Sequence, residues 1–204
     1  MFGQAIAAVT SASTQMLTGA QARWVGCAPL DVQRVYFANH TSHLDFVLLW
    51  SSLPARLRRK TRPVAAKDYW SRGALRRFII HGVFRGVLVE RVHLERGVSP
   101  LRPMLDALDA GDSLILFPEG SRGPGPEVQP FKGGIFHLAE VHPQVELVPV
   151  WIQNSYRVMP KGSLFPVPLL CSITFGKPVR LGENEHKPVF LSRLRDALAA
   201  LESM

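Results

Sequence analysis

A chain of 204 residues fits one domain, long enough to bury about 70% of the surface its unfolded form would expose. With 47% hydrophobic and 20% charged residues it is a foldable composition, which excludes an intrinsically disordered chain. The net charge of +8 is uneven: between Arg56 and Arg91 eleven basic residues face only Asp68 and Glu90, and the rest of the chain is close to neutral.

In chain order, residues 3 to 18 place Ile6, Val9, Ser13, Met16 and Leu17 near one face of an amphipathic helix. No basic n-region precedes it, so Met1 to Ala20 makes a poor signal peptide. No stretch approaches the ~20 continuous apolar residues of a spanning helix. Arg34 to Ala38 reads as a strand, and His43 to Leu53 as a helix stopped before Pro54. Val64 to Ala66 and Gly86 to Glu90 read as short strands. Pro100 to Ala110 reads as a helix closed by Gly111, and Ser113 to Phe117 as a buried strand. Residues 123 to 130, rich in glycine and proline, form a loop. Then come a helix from Gly134 to Val141 and strands from Val145 to Ile152 and Cys171 to Phe175. The segment from Arg157 to Pro168 reads as a surface connection. A last helix, Val189 to Leu201, sets Phe190, Leu194, Leu198 and Leu201 on one side. This alternation predicts an α/β fold: a single domain with a mixed, mostly parallel sheet flanked by helices. The two cysteines, Cys27 and Cys171, make neither a disulfide framework nor a zinc motif, which fits a reducing cytosolic setting.

Two motifs carry the chemistry. In the first, Asn39-His40-Thr41-Ser42-His43-Leu44-Asp45 follows a strand. On one continuous helix His40 and Asp45 would stand about 140° apart and could not meet. With His40 in the turn and Asp45 in the first helical turn they can. The aspartate would then fix the tautomer and leave the other ring nitrogen to take a proton. The competing structural account is a capping box, in which Asp45 closes Ser42-x-x-Asp45. A metal site built on His40, His43 and Asp45 lacks both the spacing and a further ligand. In the second motif, Phe117-Pro118-Glu119-Gly120-Ser121-Arg122, the arginine is a natural phosphate clamp and Gly120 admits close approach of a ligand. Glu119 could orient Arg122 or bind a substrate hydroxyl, and the whole could be only a turn. A general base beside an anion-binding loop, with no G-x-S-x-G elbow, points to acyl transfer onto a phosphate-bearing acceptor.

With these residues in view the chain resembles the glycerophospholipid acyltransferases, of the bacterial 1-acylglycerol-3-phosphate O-acyltransferase type. The resemblance runs from about Val35 to Arg180. Asn39, His40 and Asp45 match the family's N-H-x4-D motif. Gly86 to Arg91 match its second motif, with Glu90 where aspartate is common. Phe117 to Arg122 match F-P-E-G-T-R with Ser121 for threonine, and Phe131-Lys132-Gly133-Gly134 and Val148-Pro149-Val150 also look like the family.

The resemblance implies a glycerolipid acyltransferase-like fold, with a helix and linker over 1–30 and an acyltransferase domain over 31–204. It implies that His40, oriented by Asp45, deprotonates the free hydroxyl of a lysophospholipid, foremost 1-acylglycerol 3-phosphate. The acyl group would come from acyl carrier protein or a CoA thioester, with no metal or bound cofactor. Arg91, Glu119, Gly120, Ser121, Arg122, Lys132 and Pro149 would bind substrate, with Arg91 helping to hold the phosphate and Pro149 shaping the donor or acyl site. Lys132 and the Gly133-Gly134 amides are the candidates for oxyanion stabilisation.

The basic segment from Arg56 to Arg91, interleaved with Tyr69, Trp70, Leu75, Phe78, Ile79, Ile80, Val83 and Phe84, suits an anionic membrane surface, although it also reads as a solvated face over ordinary core. The expected location is cytoplasmic, peripheral to the inner face of the membrane. Nucleic acid is not an expected partner, because no recognised module appears. Alternatives are a different acceptor (a lyso-aminolipid or glycerol 3-phosphate), thioester hydrolysis, and a non-catalytic lipid-binding protein on the same fold.

Overall fold

The computed structural model describes residues 21–42, 44–90, 99–123, 127–154 and 171–204. The helix expected at 3–18, His43, Arg91 and the 157–168 connection lie outside these residues.

The apolar runs become strands of one seven-stranded sheet. Its members are β1 (Gln21–Trp24), β2 (Arg34–Ala38), β3 (Thr61–Ala66), β4 (Val87–Val89), β5 (Ser113–Leu116), β6 (Glu146–Ile152) and β7 (Ser172–Phe175). Their order is β1-β7-β6-β2-β5-β3-β4. All neighbours are parallel except β6 and β7. The helices are α1 (Asp45–Ser52), α2 (Ala55–Lys60), α3 (Lys67–Trp70), α4 (Ala74–Arg77), a π-helical stretch (Phe78–Val83), α5 (Arg102–Asp109), α6 (Gly134–Val141) and α7 (Lys187–Ala199). The mixed, mostly parallel α/β sheet expected from the alternation is what the chain forms.

Successive strand residues point to opposite faces, so β2 feeds two cores. Val35 and Phe37 join Leu114, Leu147 and Trp151 beneath α5, α6 and α7, where Met104, Ile135 and Leu194 are buried. Tyr36 and Ala38 join Ile115, Val148 and Val150 on the other face, under Leu48, Leu49 and Trp50 of α1. Burial on both faces explains why these strands read as continuous apolar runs rather than alternating ones.

At the amino ends of the strands, Arg34 is 2% exposed. Its Nε donates to Glu146 Oε2 at 3.0 Å and its Nη1 to the Ala28 carbonyl at 2.8 Å. One guanidinium therefore locks the starts of β2 and β6 together, at the end of the sheet away from both sequence motifs.

Several elements depart from the sequence expectation. β1 arises inside the stretch assigned to the linker, ahead of residue 31. It is an edge strand whose Gln21, Ala22 and Arg23 are exposed, and Trp24, stacked on Phe175 at 3.9 Å, is the half-buried contact. Such a strand carries almost no hydrophobic pattern. α2 buries only Leu57 and so shows no period. β3 begins at Thr61 rather than Val64, because Thr61, Arg62 and Pro63 pair with β5. α1 begins at Asp45 rather than residue 43, for a reason visible in the site below.

The end of α5 follows the glycine signal closely. Gly111 has φ 81°. Its N–H reaches Leu108 O at 2.9 Å and the Asp112 N–H reaches Ala107 O at 3.0 Å, the paired bonds of a Schellman closure. An alanine at 111 meets no steric obstacle within 4 Å, so its cost is conformational. Gly111→Ala is expected to lower unfolding free energy by about 1–2 kcal/mol, read from a denaturant midpoint shift at unchanged slope. An unshifted midpoint would refute that assignment.

Candidate active site

β2, β5, β3 and β4 run parallel, so their carboxyl ends share one edge of the sheet, where α/β folds place their ligands. The first motif leaves β2 there and the second leaves the adjacent β5. Chain topology thus joins two segments nearly 80 residues apart.

Asn39 extends the ladder past the end of β2: its Nδ2 donates to Ile152 O at 3.0 Å and its Oδ1 accepts from Ile152 N at 2.8 Å. The chain then turns at His40. Asp45, fully buried, opens α1. Its Oδ2 accepts from Thr41 N at 2.7 Å and Ser42 N at 2.8 Å, and lies 2.9 Å from His40 Nδ1.

The catalytic and the capping geometries therefore coexist. The bond to Ser42 N is the backward half of a capping box, although among the described residues no side chain caps the helix amides. Holding residues 41 and 42 in the turn also delays the helix to Asp45. With Nδ1–H donated to the carboxylate, Nε2 is the acceptor nitrogen left to the cavity. The His40 ring stacks on Phe117 at 4.2 Å, which fixes its plane. Among the described residues Oδ1 of Asp45 has no hydrogen-bond partner. Burial, with a smaller push from the Asp45 charge, raises the nearby Cys171 thiol to about 11, so this cysteine is no nucleophile at neutral pH.

The second motif is tied to the first through the backbone of His40. Glu119, 5% exposed, accepts the His40 N–H on Oε1 at 2.7 Å and the Gln129 N–H on Oε2 at 3.0 Å. The Gly123 N–H returns to His40 O at 2.9 Å. Burial raises the Glu119 carboxyl above its ordinary range, and the two backbone donors oppose that shift. Both Glu119 oxygens accept from protein backbone, and Glu119 is not among the residues that line the cavity.

Gly120 adopts φ 74°, and the Lys132 side chain lies so close over it that a Cβ would sit 2.7 Å from Nζ. The Lys132 N–H anchors to Pro118 O at 2.8 Å. Gly120, Ser121, Arg122 and Lys132 all line a cavity of about 600 Å³, as does His40. Its apolar lining includes Phe46, Trp70, Ile80, Leu101, Met104 and Ile135. Pro149 is not in this lining. It is buried in β6 beside Gly176.

Four contributors escaped the sequence reading. Gly123 and Gln129 act through backbone amides, which no residue type advertises. Phe46 and Trp70 belong to the wall, and their edge-to-face contact at 5.7 Å signals core as much as site.

Fold and geometry together define an α/β domain with a histidine–carboxylate pair on the wall of an apolar cavity, facing a cationic rim. The chain belongs to the Acyltransferase family, whose model matches residues 22–153. It is 31% identical over 125 residues to the human 1-acyl-sn-glycerol-3-phosphate acyltransferase alpha, covering 60% of this chain and 41% of that one. It is 29% identical over 127 residues to the lyso-ornithine lipid O-acyltransferase of Brucella abortus, covering 60% of this chain. The chain spans about 40–57% of the length of the curated relatives it matches first. The crystal structure of the 1-acyl-sn-glycerophosphate (LPA) acyltransferase PlsC from Thermotoga maritima superposes with a TM-score of 0.75 at 21% identity. That match covers 98% of this chain and 78% of the other and bears on the fold. Among the described residues, no helix is long and apolar enough to cross a membrane.

Proposed function

We propose that the protein is an O-acyltransferase that moves a fatty acyl group from a thioester to the free hydroxyl of 1-acylglycerol 3-phosphate, giving phosphatidate. The observation that carries this is the 2.9 Å contact of His40 Nδ1 with the buried Asp45 carboxylate, on a ring that lines an apolar cavity. His40 Nε2 takes the proton of the acceptor hydroxyl as its oxygen attacks the thioester carbonyl. A tetrahedral oxyanion forms, and its collapse breaks the carbon–sulfur bond and releases the thiolate, which His40 reprotonates. Base catalysis of this kind contributes about 10²–10⁴-fold, and positioning supplies much of the rest.

Arg122, with the Lys132 ammonium beside Gly120, supplies the positive rim for the acceptor phosphate, and Arg91 is the further candidate for it. Gly120 and Ser121, just ahead of Arg122 in the cavity lining, complete the acceptor-binding loop. Lys132 and the amides of Gly133 and Gly134 at the start of α6 are the candidates for oxyanion stabilisation. The donor is acyl carrier protein or CoA, a co-substrate, and the steps use no metal or bound cofactor. The lipid acceptor implies peripheral association with an anionic membrane surface on the cytoplasmic side, through the basic segment.

A second acceptor class has one specific support: the Brucella abortus relative acylates, by its name, a lyso-ornithine lipid. The test is transfer of labelled palmitate from acyl carrier protein and from CoA to lysophosphatidate, lyso-ornithine lipid and glycerol 3-phosphate. Phosphatidate as the main product supports the reading. Preference for the aminolipid moves the acceptor, and absence of any product from either donor overturns acyl transfer.

A further inference from the structure

The structure divides the basic segment into paired and outward-facing parts. Lys60 pairs with Asp31, Arg62 and Arg85 with Asp112, and Lys67 with Glu90. Arg58 lies over the Trp50 ring at 5.1 Å. Much of the excess charge is thus engaged within the fold.

A different arrangement holds from residue 72 to 82. Gly73, at φ 81°, starts α4, which runs straight into the π-helical stretch. Ile80 and Val83 are buried inward, and Phe84 follows them into contact with Phe46 and Trp50 at 5.0 and 4.9 Å. The outer side carries Leu75, 71% exposed, and Phe78, 47% exposed, three residues apart and so on one helical face. Arg72, Arg77 and His81 are exposed around them, while Arg76 stacks on Tyr69 at 4.3 Å. No aspartate or glutamate occurs between residues 72 and 82. Just behind this tip, Tyr69, Trp70, Arg72 and Ile80 line the cavity that holds His40.

We infer that Leu75 and Phe78 form a wedge that enters an anionic bilayer while Arg72 and Arg77 bind its headgroups, seating the cavity mouth on the lipid surface. An apolar tip ringed by cations and free of carboxylates matches the acyl boundary and phosphate layer of such a bilayer. Its place at the cavity rim gives an apolar acceptor a path that avoids water. The inference rests on the acyl-transfer reading only for what passes through that mouth.

The experiment measures co-sedimentation of the full chain with vesicles of phosphatidylglycerol and phosphatidylcholine, against phosphatidylcholine alone. Leu75→Glu/Phe78→Glu is expected to weaken partitioning by roughly tenfold or more. Arg77→Gln is expected to weaken it roughly fivefold and flatten its salt dependence. Both should retain wild-type turnover of a short-chain lysophosphatidate kept below its micelle concentration. A readout independent of variant stability is an environment-sensitive dye on Leu75→Cys, whose emission should shift to the blue on phosphatidylglycerol vesicles.

Unchanged partitioning of the double variant, or a dye that does not respond while the protein sediments, overturns the wedge. So does self-association in the absence of lipid that the same substitutions abolish, which would give the face to a second copy of the chain. A dye on Leu75→Cys that shifts on vesicles, while wild type turns over no soluble acceptor, supports the wedge and counts against acyl transfer, so the two can fail separately.

Discussion

His40→Ala is expected to lower turnover by about 10²–10⁴-fold while the protein stays folded, with acceptor KM nearly unchanged. The side chain is 21% exposed and, among the described residues, makes one side-chain hydrogen bond, to Asp45. Its backbone bonds to Glu119 and Gly123 survive truncation, so the turn persists. The reading fails if the folded variant keeps more than about a tenth of wild-type turnover. Asp45→Asn makes a useful contrast. It disturbs a fully buried group that also holds the Thr41 and Ser42 amides, so losses of stability and rate should arrive together.

Glu119→Gln is the second large effect, and it separates two roles for this side chain. Each carboxylate oxygen accepts one backbone N–H, from His40 and from Gln129. A glutamine offers one acceptor and turns an NH₂ toward the other donor. One buried amide is left unsatisfied, at a cost of about 1–3 kcal/mol. Because the His40 N–H is one of the two, the displacement falls on the base: kcat should drop roughly 10–100-fold, in line with the sensitivity of catalysis to ångström displacements. Acceptor KM should change little. Should KM rise while kcat holds, Glu119 touches the acceptor, and holding the His40 amide is not its function.

How much of this was legible depends on where each signal resides. β2, β5 and β6 announce themselves because strands buried on both faces must be apolar throughout. α6 matches residues 134 to 141 as expected, since Ile135, Phe136, Leu138 and Ala139 all turn inward. β1 and α2 stayed hidden because each buries little. In the site, a histidine and an aspartate five positions apart were readable as a pair once the strand–turn–helix frame was assumed. Glu119 was not readable in its true orientation. Its conspicuous carboxylate spends both oxygens on amides of other segments, which are identical at every non-proline residue. Pro149 is a buried strand residue outside that cavity lining, so its place in the sheet is what the sequence pattern reported.

The two-sided tie on the His40 backbone has a geometric consequence. Its N–H goes to Glu119 and its C=O receives Gly123, the residues on either side of the Gly120-Ser121-Arg122 stretch. The base and the Gly120-Ser121-Arg122 stretch are therefore joined through two backbone hydrogen bonds, and the loop sets the distance between them. On the proposed reaction this acts as a gauge: with its phosphate on the rim, an acceptor presents only the hydroxyl that lies the matching number of bonds away. Regiochemistry would then be decided by span, leaving the apolar wall free to tolerate different acyl tails.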